Sequence, residues 1–174
     1  MIDALKTAVL VVLAALVQAT VLSSMTVLEG TPDVLLLTLL GVALLRGSIV
    51  GTIAGFGAGL LLDVLQLGTM GVLALVLALA GYWAGRYGET TGRDRAHAPL
   101  VSVFAITVLV ALSGYALHFV LGEQVDAQRV LVDSLLPGLG LNLLLAVPVF
   151  ALCRGFLGEG PAGDRVQEVR LLGQ

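Results

Sequence analysis

Residues 46–63, RGSIVGTIAGFGAGLLLD, decide how the rest of the chain is read. Gly47, Gly51, Gly55 and Gly59 recur at every fourth position, and Asp63 takes the next step of the same series. Steps of four keep side chains on nearly one face of a helix. The segment therefore predicts an apolar helix with a bare, slowly turning stripe and one charge at each end, Arg46 and Asp63. In water each of these glycines would cost a helix about 1 kcal/mol relative to alanine. In a membrane the same stripe lets a second helix approach backbone to backbone. Four in register imply that close approach outweighs that cost, either in packing within the chain or in a seam for a partner. The sequence leaves both open.

Working outward, the composition selects the class. The 174 residues are 58% hydrophobic and 12% charged, with a mean hydropathy of +1.04, whereas ordinary globular chains are about a quarter charged. Long apolar segments separated by short polar breaks predict an all-α polytopic membrane protein. Six spans fit the length, with residues 1–157 as a single transmembrane bundle and 158–174 as a flexible cytoplasmic tail opening on GEGPAGD. The single cysteine, Cys153, excludes an internal disulfide and a cysteine-only metal site. It sits in an apolar run and reads as a small core residue.

The first predicted span, Leu5–Leu22, is long enough to cross and carries Gln18, which should face protein rather than lipid. Thr31, Pro32 and Asp33 then read as N-cap, first-turn proline and a carboxylate favoured by the helix dipole. The second span, Val34–Leu45, covers only about 18 Å. It requires either a thinned bilayer or cover from its neighbours. Arg46-Gly47 marks a reversal into the glycine-striped third span, which ends near Leu62. A continuous helix through this point would leave Arg46 deep in lipid. Asp63–Gly71 is expected to be a turn.

The fourth span, Val72–Tyr87, ends in an aromatic belt of Tyr82, Trp83 and Tyr87 with Arg86 at headgroup level. The fifth is Pro99–Leu121. Residues 122–134 predict a short surface helix. The sixth, Leu135–Leu157, contains Pro148, which predicts a kink, and Asn142, which needs a hydrogen-bonding partner. In this topology Lys6, Arg46, Arg86, Arg93, Arg95, Arg154, Arg165 and Arg170 share one side and Arg129 alone takes the other. Eight against one places both termini in the cytoplasm.

Catalytic chemistry has little to work with. His97 and His118 fall on opposite sides, there is no HExxH, and no ionisable group stands at a bilayer centre to carry protons or ions. Asp33 and Asp63 share the outer face, where a carboxylate pair reads more simply as two helix caps than as an acid and a base. The run Gly55-Phe56-Gly57-Ala58-Gly59 has no preceding strand and is not a dinucleotide loop. No cofactor, metal or nucleic-acid partner is expected.

The middle third, taken together, runs Pro32-Asp33, Arg46-Gly47, Gly51, Gly55-Phe56, Gly59, Asp63, Gly68, Gly71, Leu75, Gly81-Tyr82 and Gly85. In order and spacing this resembles the rod-shape-determining protein MreD family over residues 30–88. The resemblance implies a non-enzymatic scaffold of the cell-elongation machinery in the bacterial inner membrane, with a bundle similar to transporter S-components. Its implied partners are MreC, the cytoplasmic filament protein MreB, and the glycan polymerase and transpeptidase that extend the lateral wall. The alternative of a different class is the substrate-binding S-component of an energy-coupling-factor vitamin transporter. Ala15 and Ala19 supply an AxxxA on the first helix for a coupling subunit, but the polar groups expected at the outer ends, such as Glu29, Gln66 and Tyr115, are sparse for a binding site.

Overall fold

The computed structural model describes residues 2–20, 32–67, 70–91, 98–120 and 135–158. Within them six helices follow one another: α1 (Ile2–Thr20), α2 (Val34–Arg46), α3 (Ser48–Leu65), α4 (Val72–Thr91), α5 (Ala98–Val120) and α6 (Leu135–Leu157). The expected loop with Glu29, the surface helix at 122–134, the polar loop with Arg93, Arg95 and His97, and the tail lie outside the described residues.

The shortest helix, α2, is the centre of the molecule. α2 has 13 residues and no polar stripe, and every residue from Leu35 to Leu45 is buried. A helix that is apolar all round must be covered on all sides, and α2 touches each of the other five helices. At about 20 Å it is protected by neighbours, which is one of the two ways the sequence offered for accommodating it.

Contacts at the two ends of α2 fix how its neighbours run. The Gln18 amide of α1 donates to the Pro32 carbonyl at 3.3 Å and its oxygen accepts from the Val34 N–H at 3.0 Å. On α6, Asn142 Oδ1 accepts from the Asp33 N–H at 2.9 Å, while Arg46 Nη2 donates to the Leu157 carbonyl at 2.7 Å. α6 therefore lies parallel to α2. The reversal between α2 and α3 takes a single residue, Gly47, at φ 97° and ψ 179°, a backbone region essentially restricted to glycine. Ala43 and Gly51 consequently come side by side, as a hairpin requires and a continuous helix forbids.

α1 starts three residues before the expected Leu5, and three further differences bear on the site. Asp33, not Thr31, caps α2, through a 2.9 Å bond from the Leu36 N–H; Thr31 is outside the described residues. α3 runs three residues past Leu62, so Asp63 is inside its last turn rather than at the start of a loop. α4 runs four residues past Tyr87 to Thr91, with the Thr90 hydroxyl donating to the Arg86 and Tyr87 carbonyls, both at 3.1 Å.

Apolar side chains also cover the outside. Leu5, Val9, Leu13, Ile49, Ile53, Phe56, Leu75, Leu79, Leu144, Val147 and Leu152 are all exposed. An apolar exterior on this scale suits lipid rather than water. Among the described residues, two helices, Ser48–Leu65 and Pro137–Leu157, are long and apolar enough to cross a bilayer.

Candidate helix-packing site

The glycine stripe of α3 lies against α4. A Cβ on Gly51 would fall within 3.0 Å of the Gly81 carbonyl, one on Gly55 within that distance of the Leu77 carbonyl, and one on Gly59 of Ala74 Cα. α4 answers with its own small residues. A Cβ on Gly81 would meet the Gly51 carbonyl, one on Gly85 would lie 2.5 Å from Gly47 C and Ser48 Cα, and one on Gly88 would lie 2.8 Å from the Leu44 carbonyl. The pairs 51–81, 55–77 and 59–74 run in opposite order along the two helices, so α3 and α4 are antiparallel. Among the described helices this pair has the most extensive contact.

The α4 half of this arrangement was missed in the sequence. Gly81 and Gly85 enter the sequence reading only through the family spacing, yet Ala74, Gly81, Gly85 and Gly88 form a second bare stripe at steps of seven, four and three. Phe56 and Tyr82 are exposed at 48% and 42% and stay outside the contact. Tyr82 packs edge-on against Trp83, with ring centroids 5.7 Å apart at 78°.

A carboxylate closes each end of the pair. Asp63, only 5% exposed, accepts through Oδ2 from the Gly71 N–H at 2.8 Å and the Ala74 N–H at 3.4 Å. It satisfies donors that the first turn of α4 leaves without intrahelical partners. Gly71 preceding that turn has φ 90°. At the other end Gly47 offers α3 no side-chain cap. Glu89 of α4 replaces it, with Oε1 accepting from the Ser48 N–H at 2.8 Å and the Ser48 hydroxyl at 2.9 Å. Arg86 Nη1 stands 3.4 Å from Glu89 Oε2. The Ser48 N–H bond first, then the Ser48 hydroxyl and Arg86, hold the Glu89 carboxyl below its ordinary value.

The remaining site residues sit at the ends of α2. Pro32 and Asp33 are held by Gln18 and Asn142, so the two polar groups that the sequence left without partners meet at one helix start. Arg46 reaches the last carbonyl of α6, where the helix dipole favours a cation. Ala15 is fully buried and Ala19 packs on the core. Their AxxxA is therefore turned inward, away from any coupling subunit. Gln18, Asp33, Arg46, Asp63, Glu89 and Asn142 all serve helix ends. Among the described residues, no three His, Cys, Asp or Glu side chains come together as a metal site.

The comparison with known families accords with this architecture. A family model for the rod shape-determining protein MreD matches residues 2–157, from the start of α1 to the end of α6. The chain belongs to the MreD family. No curated protein and no solved structure matches it. MreD membership carries a role in rod-shape determination and a place in a membrane protein family. It also extends the likeness beyond residues 30–88 to α1, α5 and α6.

Proposed function

We propose that this MreD-family chain is a six-span, non-enzymatic scaffold of the elongation machinery in the bacterial inner membrane, with both termini cytoplasmic. In this reading residues 1–157 form one bundle, and the tail from 158 extends into the cytoplasm. The bundle packs with the transmembrane helix of MreC and links wall synthesis outside to MreB inside, beside the glycan polymerase and transpeptidase.

The observation that carries this reading is the family match along all six helices. The packing adds physical support. Gly51, Gly55 and Gly59 give the bundle a tightly locked α3–α4 pair, and Gln18, Asp33, Asp63, Glu89 and Asn142 tie down helix starts. Such a body is built to hold its shape and to offer its apolar exterior to other helices. Because α4 fills the α3 stripe, MreC packs on another face, and the stripe acts indirectly by keeping that face in shape. The inward-turned Ala15 and Ala19 argue against the vitamin-transporter alternative.

Copurification in mild detergent tests the proposal. Tagged protein is expected to retain MreC, and Gly51→Leu or Gly55→Leu to lose it together with the folded bundle. Recovery of a coupling subunit with an ATPase pair, in place of MreC, would overturn the scaffold reading. Cysteines placed at Thr90 and Gln66, both exposed, test the topology. The first should be shielded from a membrane-impermeant reagent added outside, and the second open to it.

A further inference from the structure

The flanks of the bundle differ in apolar length. On α4, residues 72–85, ahead of Arg86, make about 21 Å of helix. On α6, residues 135–153, ahead of Arg154, make about 28 Å, close to the ~30 Å hydrocarbon core of a bilayer. Leu75, Leu79, Tyr82 and Arg86 are all exposed and fall on one face of α4, at steps of four, three and four. That face passes from aliphatic to aromatic to charged within a short stretch.

We propose that the outward face of α4 is a lipid-binding surface for a locally thinned bilayer, favouring phospholipids of short acyl chain, while the α6 face takes chains of ordinary length. This rests on α4 and α6 crossing the membrane, as proposed above. Trp83 is 55% exposed beside the exposed Tyr82. Tyrosine and tryptophan settle at headgroup level, and an arginine below that level is costly. With Tyr82, Trp83 and Arg86 at the cytoplasmic interface, the start of α4 at Val72 leaves too short a run for a full hydrocarbon core. α3 beside it covers about 24 Å between Ile49 and Leu65, the outermost exposed aliphatic residues of that helix.

The two clasps fix this length. Ser48, held by Glu89, and Asp63, which holds Gly71 and Ala74, stand about 22 Å apart along α3. With both ends tied and the backbones in contact between them, α3 and α4 do not slide past one another to lengthen the flank. Tilting only shortens the projection of a helix on the bilayer normal. A long helix such as α6 can tilt to suit a thin bilayer, but α4 has no way to stretch to a thick one, so the lipid shortens beside it.

Trp83 is the single tryptophan of the chain and reports on this face directly. The full chain is reconstituted without MreC in phosphatidylcholine mixed with brominated phosphatidylcholine, over a series of acyl lengths. Quenching of Trp83 fluorescence then gives the relative affinity of the face for each length. The expected optimum lies at about 14 to 16 carbons, with a fall of roughly twofold or more by about 22 carbons. Leu152, exposed on α6 just ahead of Arg154, carries the comparison: Trp83→Phe combined with Leu152→Trp should give an optimum at longer chains. Arg86→Leu, which lengthens the apolar run of α4, should move the Trp83 optimum the same way. All three substitutions are at exposed positions. The proposal is overturned if the Trp83 profile is flat or greatest for long chains, or if positions 83 and 152 share one optimum. Those results leave the scaffold reading standing. A Trp83 quenched by no lipid at all would overturn both, because α4 would then not face the bilayer.

Discussion

Asp63 and Glu89 are equivalent across the α3–α4 pair: each stands two residues before the end of its own helix and caps the first turn of the other. An antiparallel pair brings the C-terminal turn of each helix beside the N-terminal turn of its partner. A carboxylate there meets unpaired N–H groups and the positive end of a helix dipole. The glycines between the two clasps bring the backbones close enough for such short side chains to reach across. Asp63, the shorter side chain, closes the end where Gly59 lies on Ala74, and Glu89 spans the end where Gly47 and Ser48 face Gly85.

Asp63→Ala leaves the Gly71 and Ala74 N–H groups without their acceptor. Loss of an N-terminal cap costs about 0.5–2 kcal/mol, and the burial of Asp63 points to the upper half of that range. Asp63→Asn keeps one carbonyl oxygen and should recover most of it. Chemical unfolding in detergent, followed by helical circular dichroism, gives the ordering wild type, Asn, then Ala. Equal midpoints for wild type and Ala would remove the clasp from the account.

Glu89 gives the pair a dependence on pH. Its folded carboxyl is held below the ordinary value of 4.5, first by the Ser48 N–H bond. A depressed carboxylate contributes stability that is present above its unfolded pKa and lost as the pH falls through its folded one. Glu89→Gln keeps a neutral acceptor for Ser48 but forgoes the charge. The melting temperature of the variant should lie below wild type at neutral pH, and the gap should close on acidification below 4.5. A gap that stays constant across that window would show that the charge contributes nothing.

Much of this architecture was legible because membrane packing leaves short-range marks. The four-residue spacing from Gly47 to Gly59 announces a bare stripe, and Arg46-Gly47 announces a reversal. Gln18 and Asn142 stand out as polar groups that need partners. What could not be read was which element meets which. Nothing local ties Asn142 to Asp33, 109 positions away, or Arg46 to Leu157, 111 away. The central position of α2 was hidden for a related reason, since its short length is explained only once five other helices surround it. The extension of α4 past Tyr87 depends on Glu89 reaching Ser48, which is again a tertiary bond.

Asn142 tests the tie between α6 and the start of α2. It is 3% exposed, and its oxygen accepts the Asp33 N–H. Asn142→Leu leaves that donor unpaired in an apolar setting, at a cost of about 1–3 kcal/mol. Gln18→Leu removes a donor and an acceptor at the same helix start, so the two losses should not add. A double-mutant cycle read by chemical unfolding should show a coupling of about 0.5 kcal/mol or more. Strict additivity would mean that α1 and α6 hold α2 independently.

The glycine contact makes the sharpest contrast, because α3 carries glycines on both faces. At Gly55 a methyl group would press on the Leu77 carbonyl, whereas at Gly57 it meets nothing. Both positions lie inside one helix, so replacing either by alanine gains the same intrinsic propensity, about 1 kcal/mol. At Gly57 that gain stands alone, and Gly57→Ala should unfold at or slightly above the wild-type midpoint. At Gly55 it is opposed by overpacking, typically 1–3 kcal/mol, at the upper end because the obstacle is backbone rather than a flexible side chain. Gly55→Ala should therefore be destabilised by about 1–2 kcal/mol net, with Gly81→Ala close to it, because that methyl would press on the Gly51 carbonyl from the opposite helix. Measured in the same detergent, equal midpoints for Gly55→Ala and Gly57→Ala would show that α3 and α4 do not pack as closely as their backbones indicate.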